Sequence, residues 1–162
     1  MDNSLKSDLQ TQAETHEKAG QTYSRAGDFV SALDSLHKAL VIRKEIGDIV
    51  GESFVLNNIG KVHLRQGDYE TALAYFQQSL TISRQSGDKI GESATLNNIS
   101  AIHRAQGDYE ASLAYLKQSL DIQRQLGDKF GEGRTLNNLS QIYDAQGDYE
   151  TALAYLKQSL DI

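Results

Sequence analysis

The sequence predicts an all-α chain, an α-solenoid of four helical hairpins, on three observations. A near-identical block recurs every 40 residues: GDYETALAYFQQSLTI from Gly67, GDYEASLAYLKQSLDI from Gly107 and GDYETALAYLKQSLDI from Gly147, with a divergent copy, GDFVSALDSLHKALVI, from Gly27. A second series of Gly-Asp pairs, at Gly47, Gly87 and Gly127, falls halfway between, and the same step back lands on Ser7-Asp8. Proline, which breaks helix interiors, is absent from all 162 residues. A fixed period of this length marks a repeat architecture, whose units stack because one helical pair cannot bury its apolar face alone.

Each half-period reads as one helix. Ala72, Phe76, Ser79, Leu80 and Ser83 recur at steps of three and four residues, as do Leu96, Ile99, Ser100 and His103. The Gly-Asp pairs punctuate these segments, since glycine accepts the left-handed conformation that ends a helix and the aspartate can cap the next one. First helices are expected near residues 8–25, 48–65, 88–105 and 128–145, and second helices near 28–46, 68–86, 108–126 and from 148 to the end. The repeats, about 7–46, 47–86, 87–126 and a truncated 127–162, make up a single domain spanning 1–162.

Composition narrows the function. With no cysteine there is no disulfide framework, thiolate metal site or thiol nucleophile. An excess of 22 acidic over 16 basic residues, for a net charge of -6, speaks against a nucleic-acid or anionic-membrane partner. No signal-like leader and no apolar stretch of membrane-spanning length stands out, so a cytoplasmic location is expected. His63 and His103 occupy equivalent places, but Tyr23 and Tyr143 fill the same slot in the other repeats, so the slot wants a partly buried ring rather than a metal. The glycines match no phosphate-binding loop, and no Ser, His and acid grouping converges by spacing. Neither a cofactor nor an enzyme activity is expected.

Leu56, Ile59, Gly60 and His63, followed by Gly67, Asp68, Tyr69 and Ala72, resemble the tetratricopeptide repeat family, as do His16, Ala19, Gly20 and Tyr23 with Gly27, Asp28, Phe29 and Ala32. The resemblance covers essentially the whole chain. The common form has a 34-residue period, so this 40-residue form is similar to the subclass found in Pins-type polarity adaptors, through GDKIGE and GDKFGE, and in kinesin light chain, through the LNN triplets at Leu56, Leu96 and Leu136. It implies a right-handed superhelix and a concave groove that binds peptides.

At about 100° per residue, Phe54, Asn57, Asn58, Lys61, Leu64 and Arg65 point away from the stripe that meets the partner helices. The next repeat offers Asn97, Asn98, Ala101 and Arg104 there, and the fourth Arg134, Asn137, Asn138, Gln141 and Asp144. A ladder of asparagines, each both donor and acceptor, suits the backbone of an extended peptide, and Lys61, Arg65, Arg104 and Arg134 suit an acidic one. The alternative is that Asn58, Asn98 and Asn138 bind neighbouring repeats and hold the array together. In the first repeat Glu14 and Glu17 stand beside Lys18 and Arg25, giving a mixed strip. The family's carboxylate clamp is incomplete here, because Glu17 and Gln21 occupy the places of its Lys and Asn. The competing role is a structural spacer or self-assembling scaffold. The fourth repeat stops at SLDI without a polar capping helix, so either the chain is part of a longer array or another copy covers that end, and in the second case Leu153, Leu156 and Leu160 are expected to support homo-oligomer formation.

Overall fold

The computed structural model describes residues 2–162, and among these there are eight α-helices and no strand. In order they are α1 (Asn3–Ala26), α2 (Phe29–Glu45), α3 (Ile49–Gln66), α4 (Tyr69–Ser86), α5 (Lys89–Ala105), α6 (Tyr109–Leu126), α7 (Lys129–Ala145) and α8 (Tyr149–Leu160). Seven of them start within a residue or two of expectation. The exception is α1, which begins five residues before the expected Asp8. Its Ser7-Asp8 lacks the glycine that closes a helix at every later junction, so nothing interrupts the helical run from Asn3.

The junctions follow one design. Gly27, Gly47, Gly67, Gly87, Gly107, Gly127 and Gly147 all have φ between 68° and 84°, the left-handed region that favours glycine. At the first of them the Asp28 amide donates to Tyr23 O at 3.0 Å and the Gly27 amide to Ser24 O at 3.1 Å, which satisfies carbonyls that α1 would otherwise leave open. The aspartate then caps the next helix: Asp28 accepts from the Ser31 amide (3.0 Å), Asp68 from Thr71 (3.2 Å) and Asp148 from Thr151 (3.1 Å). Bonds from the hydroxyl and amide of those residues hold the Asp28, Asp68 and Asp148 carboxyls below the usual carboxylate range. At the entry of α7 a Cβ on Gly131 would collide with the Asp128 carboxylate and meet Gln123 Nε2, and Gly51 and Gly91 are crowded in the same way. The glycine of the GDxxGE motif therefore lets the capping carboxylate fold over the helix end.

The chain divides into two compact units, one reaching Gly91 and the other starting at Glu92, in the first turn of α5. In the first, α1 packs on α2, α2 on α3 and α3 on α4. Its core joins Ala32, Leu36 and Ala39 of α2 to Val55, Ile59 and Val62 of α3, flanked by Phe29, Leu33, Leu40 and Tyr75. In the second, Leu116 and Leu120 of α6 meet Leu136, Leu139 and Ile142 of α7. Burying a side chain of this size contributes about 1.5–3 kcal/mol, and alternate faces of each helix supply such residues to both neighbours. Within a hairpin the helices cross on small polar residues. The Ser53 hydroxyl lies 3.0 Å from Ser79 Oγ and 2.7 Å from Ser83 Oγ, Ser119 Oγ donates to Ser93 O (2.9 Å), and Ser159 Oγ to Gly133 O (3.0 Å).

Candidate peptide-binding surface

On α3 most of the expected inward stripe is buried and part of the opposite face is exposed. Ser53, Val55, Leu56, Ile59, Gly60 and Val62 are buried, whereas Phe54, Lys61 and Arg65 are exposed. Arg65 nevertheless leans back on the first hairpin, its Nη1 donating to Ser24 Oγ (3.3 Å) and its guanidinium lying 5.8 Å from the Phe29 ring centroid. In the second unit Arg104, Arg134, Asn137 and Gln141 are exposed, and Arg104 Nη1 donates to Gln141 Oε1, which links α5 to α7. That bond uses one of the guanidinium's five N–H groups.

The asparagines do not form one ladder. Asn137 is exposed, while Asn57, Asn98 and Asn138 are partly buried. Asn97, expected to face the groove, is only 6% exposed and is a packing residue instead. Its Nδ2 donates to the Ser93 carbonyl (3.2 Å) and the Ser119 hydroxyl, and its Oδ1 accepts from the Thr135 hydroxyl (3.2 Å) and Asn138 Nδ2 (3.3 Å). One amide thereby ties α5 to α6 and α7. The reason is a crossing made wholly of small residues, Ser93, Ser119 and Thr135, which lets an amide reach three elements at once. Asn58 is buried as well, and its Nδ2 has no hydrogen-bond partner.

Glu17 is corrected in the same way. It was expected among the groove residues of the first repeat, but it is buried and accepts from Arg43 Nε at 2.8 Å, while Arg43 Nη1 reaches Asp48 Oδ2 at 2.7 Å. Burial opposes the charge on Arg43, and the bonds and charges of Glu17 and Asp48 outweigh it, so its pKa is raised. The signal available in the sequence was the substitution at position 43, where later repeats carry Ser83 and Gln123. An isolated Arg at a position otherwise filled by small or amide side chains calls for a local acid.

The aromatic slots pack as expected. His63 stacks on Tyr75, His103 on Tyr115 and Tyr143 on Tyr155, with centroids 5.6, 5.3 and 5.5 Å apart. His63 and His103 Nδ1 lie 3.3 and 3.2 Å from the carboxylates of Asp68 and Asp108, which cap the following helices. Among the described residues no group of three or more His, Asp or Glu side chains is placed to hold a metal, and no helix is long and apolar enough to cross a membrane. Glu132 accepts from Arg124 Nε (2.8 Å) and Lys129 Nζ (3.1 Å), and these bonds hold its carboxyl below the usual range. On α8, Leu153, Leu156 and Leu160 are 52%, 39% and 85% exposed, whereas Leu116 and Leu120 at the matching places of α6 are buried under α7.

Solved structures share this fold. An aspartyl phosphate phosphatase, F, from Bacillus subtilis is 19% identical with a TM-score of 0.87, over 93% of this chain and 40% of that one. A Rap protein complexed with Competence and Sporulation Factor is 18% identical with a TM-score of 0.85, over 93% and 42%. The Rap conjugation gene regulator of plasmid pLS20, in complex with a Phr peptide, is 21% identical with a TM-score of 0.85, over 94% and 42%. The chain thus spans about two fifths of the length of each. No curated protein sequence matches it. The family model for the tetratricopeptide repeat matches residues 11–85 and 91–162, nearly the whole of both units, and the chain belongs to the tetratricopeptide repeat family.

Proposed function

We propose that this chain is a non-catalytic, cytoplasmic protein-interaction module that holds an extended acidic peptide segment against the outward side chains of its first helices. The observation that carries the reading is charge placement: Lys61, Arg65, Arg104 and Arg134 are exposed on the outward faces of α3, α5 and α7 in a chain of net charge -6. Basic patches on an acidic body, Lys61 with Arg65 in the first unit and Arg104 with Arg134 in the second, steer acidic ligands toward them and repel basic ones. Asn137 and Gln141 add exposed amides for peptide backbone, with Asn57, Asn98 and Asn138 partly accessible beside them. The peptide-bound relative with this fold supports the class of ligand. Selection from a random peptide library on the full chain tests it, with acidic sequences expected. Replacing Arg104 and Arg134 together with Glu should weaken the selected peptides at least about a hundredfold, since each charge-assisted bond is worth about 1.5–3 kcal/mol. Stability should fall by no more than about 1–2 kcal/mol, because both side chains are exposed and only the Arg104 bond to Gln141 is lost. Recovery of basic sequences, or of ligands indifferent to the two changes, refutes the reading.

A second reading, a self-associating scaffold, is favoured by the leucines of α8. Covering a face of about 300–600 Å² at about 25 cal/mol per Å² contributes on the order of 10 kcal/mol before association costs. Sedimentation of the full chain should then show concentration-dependent association that Leu156→Glu with Leu160→Glu abolishes. A monomer at millimolar concentration, unchanged by those substitutions, rules it out.

A further inference from the structure

A recess opens between α5 and α7 in the second unit, with α6 beneath it. Ser100, Ser112, Leu116 and Ile142 are buried and form its floor, Asn138 and Arg104 stand at its mouth, and its volume is about 60 Å³. An apolar cavity of about 150 Å³ holds a benzene ring, so a recess of this volume accepts a group of about two or three heavy atoms.

The floor is chemically quiet. Ser100 Oγ donates to Asn97 O (2.7 Å) and Ser112 Oγ to Ser100 O (2.8 Å), so both hydroxyl protons are taken up by helix backbone, and Leu116 and Ile142 supply the apolar part of the floor. The mouth is not quiet. Asn138 spends its Nδ2 on Asn97 Oδ1, which leaves its carbonyl oxygen to accept a peptide N–H. Arg104 keeps donors beyond its bond to Gln141, and a guanidinium edge matches a carboxylate.

One repeat earlier the two floor positions are packed differently. Gly60 and Phe76 stand where Ser100 and Leu116 stand later, and the Phe76 ring lies so close over the glycine that a Cβ there would be 2.6 Å from a ring carbon. In the second unit Ser100 and Leu116 take those two places, and no ring lies over the helix there.

We infer that this recess is a side-chain pocket for the bound peptide, taking a small aliphatic group of Ala to Val size directly next to a carboxylate that pairs with Arg104. It fixes the register of a ligand that electrostatics alone would leave free to slide. This rests on the peptide reading above, and the test separates the two. Fluorescently labelled, acetylated and amidated ten-residue peptide mixtures, random except for a central Val-Glu, Phe-Glu, Gly-Glu or Val-Gln pair, are titrated with the full chain, together with a mixture ending in Val with a free carboxylate. Val-Glu or the free Val terminus should bind at least about tenfold more tightly than the other three, and whichever of the two wins identifies the source of the carboxylate. Ser100→Gly combined with Leu116→Phe, which copies the packing of Gly60 and Phe76, should erase the preference for Val over Phe while leaving binding of acidic mixtures in place. Equal binding of Val-Glu and Phe-Glu, or a preference that survives the double substitution, overturns the pocket and leaves peptide binding standing, whereas binding of no mixture overturns both. Should the double variant not fold, the Leu116 and Ile142 methyl resonances of the unaltered chain decide: they shift with Val-Glu and not with Phe-Glu, or the pocket is wrong.

Discussion

In the first unit Glu17, Arg43 and Asp48 form an ionic bracket between hairpins, and 80 residues on the same repeat positions hold Asn97, Gln123 and Asp128. Backbone geometry hardly differs between the two joints: the Asp48 and Asp128 carboxylates accept from the Gly51 and Gly131 amides at the same 2.9 Å, and Gly47 and Gly127 have φ of 69° and 68°. The chemistry laid over that geometry differs completely. Glu17 and Arg43 are both buried charges that satisfy each other, whereas Asn97 is a neutral hub and Gln123 is buried with an unpaired Oε1. The joint is therefore set by glycine, cap and small-residue crossing, and the long side chains fill it without deciding it. They do decide what it costs to damage it.

The largest expected effect follows from the charges. Arg43→Met leaves the Glu17 carboxylate buried without a partner, and breaking one half of a buried pair costs about 3–5 kcal/mol. Urea denaturation of the variant should show that loss. Converting the pair to the second unit's residues, Glu17→Asn with Arg43→Gln, should recover most of it, because no charge is then stranded. If the single and double variants are equally unstable, the ionic bracket specifies the joint and the comparison fails.

The neutral hub should be more forgiving. Asn97→Ala removes partners from the Ser119 and Thr135 hydroxyls and from Asn138 Nδ2. Leaving such groups unsatisfied costs about 1–3 kcal/mol, less than the charged case because hydroxyls can turn to other acceptors and water can enter. Hydrogen exchange in α5 and α7 should accelerate. A loss as large as that of Arg43→Met would mean that burial, not charge, sets the sensitivity.

The fold was legible because its signals are local and repeated. Gly-Asp pairs at fixed steps gave the helix ends, and the one error, the start of α1, came where the glycine was missing. The outward stripe was partly legible: the 100° rule exposes Lys61, Arg65, Arg104, Arg134, Asn137 and Gln141, but it also assigns Asn58 and Asn97 to that face, and both are buried. A helical wheel describes one helix and cannot see the helix of the next hairpin that arrives against its flank. Whether a flank position is covered depends on side-chain size across the crossing, as at Ser93, Ser119 and Thr135. The recess beside Arg104 was illegible for the same reason, since its lining is brought together from three helices, α5, α6 and α7.

The smallest expected effect sharpens the comparison most. Asn138 Nδ2 donates to Asn97 Oδ1, and the same spacing in the first unit sets Asn58 against Glu17. Glu17 bonds Arg43, and Asn58 Nδ2 is left buried without a partner. An amide that the neutral hub employs in the second unit is thus buried without a partner in the first. Replacing an unsatisfied buried amide by an apolar group of similar size removes a desolvation penalty and no hydrogen bond at that nitrogen, so Asn58→Leu should be neutral or stabilising by up to about 1 kcal/mol. Asn138→Leu breaks a bond to Asn97 and should cost about 1 kcal/mol instead. Thermal melts of the two variants give the answer through the difference in sign, which is insensitive to the common loss of an asparagine from a helix interior. If Asn58→Leu is the more damaging of the two, its amide has a partner through water, and the two joints are alike in satisfying their polar groups.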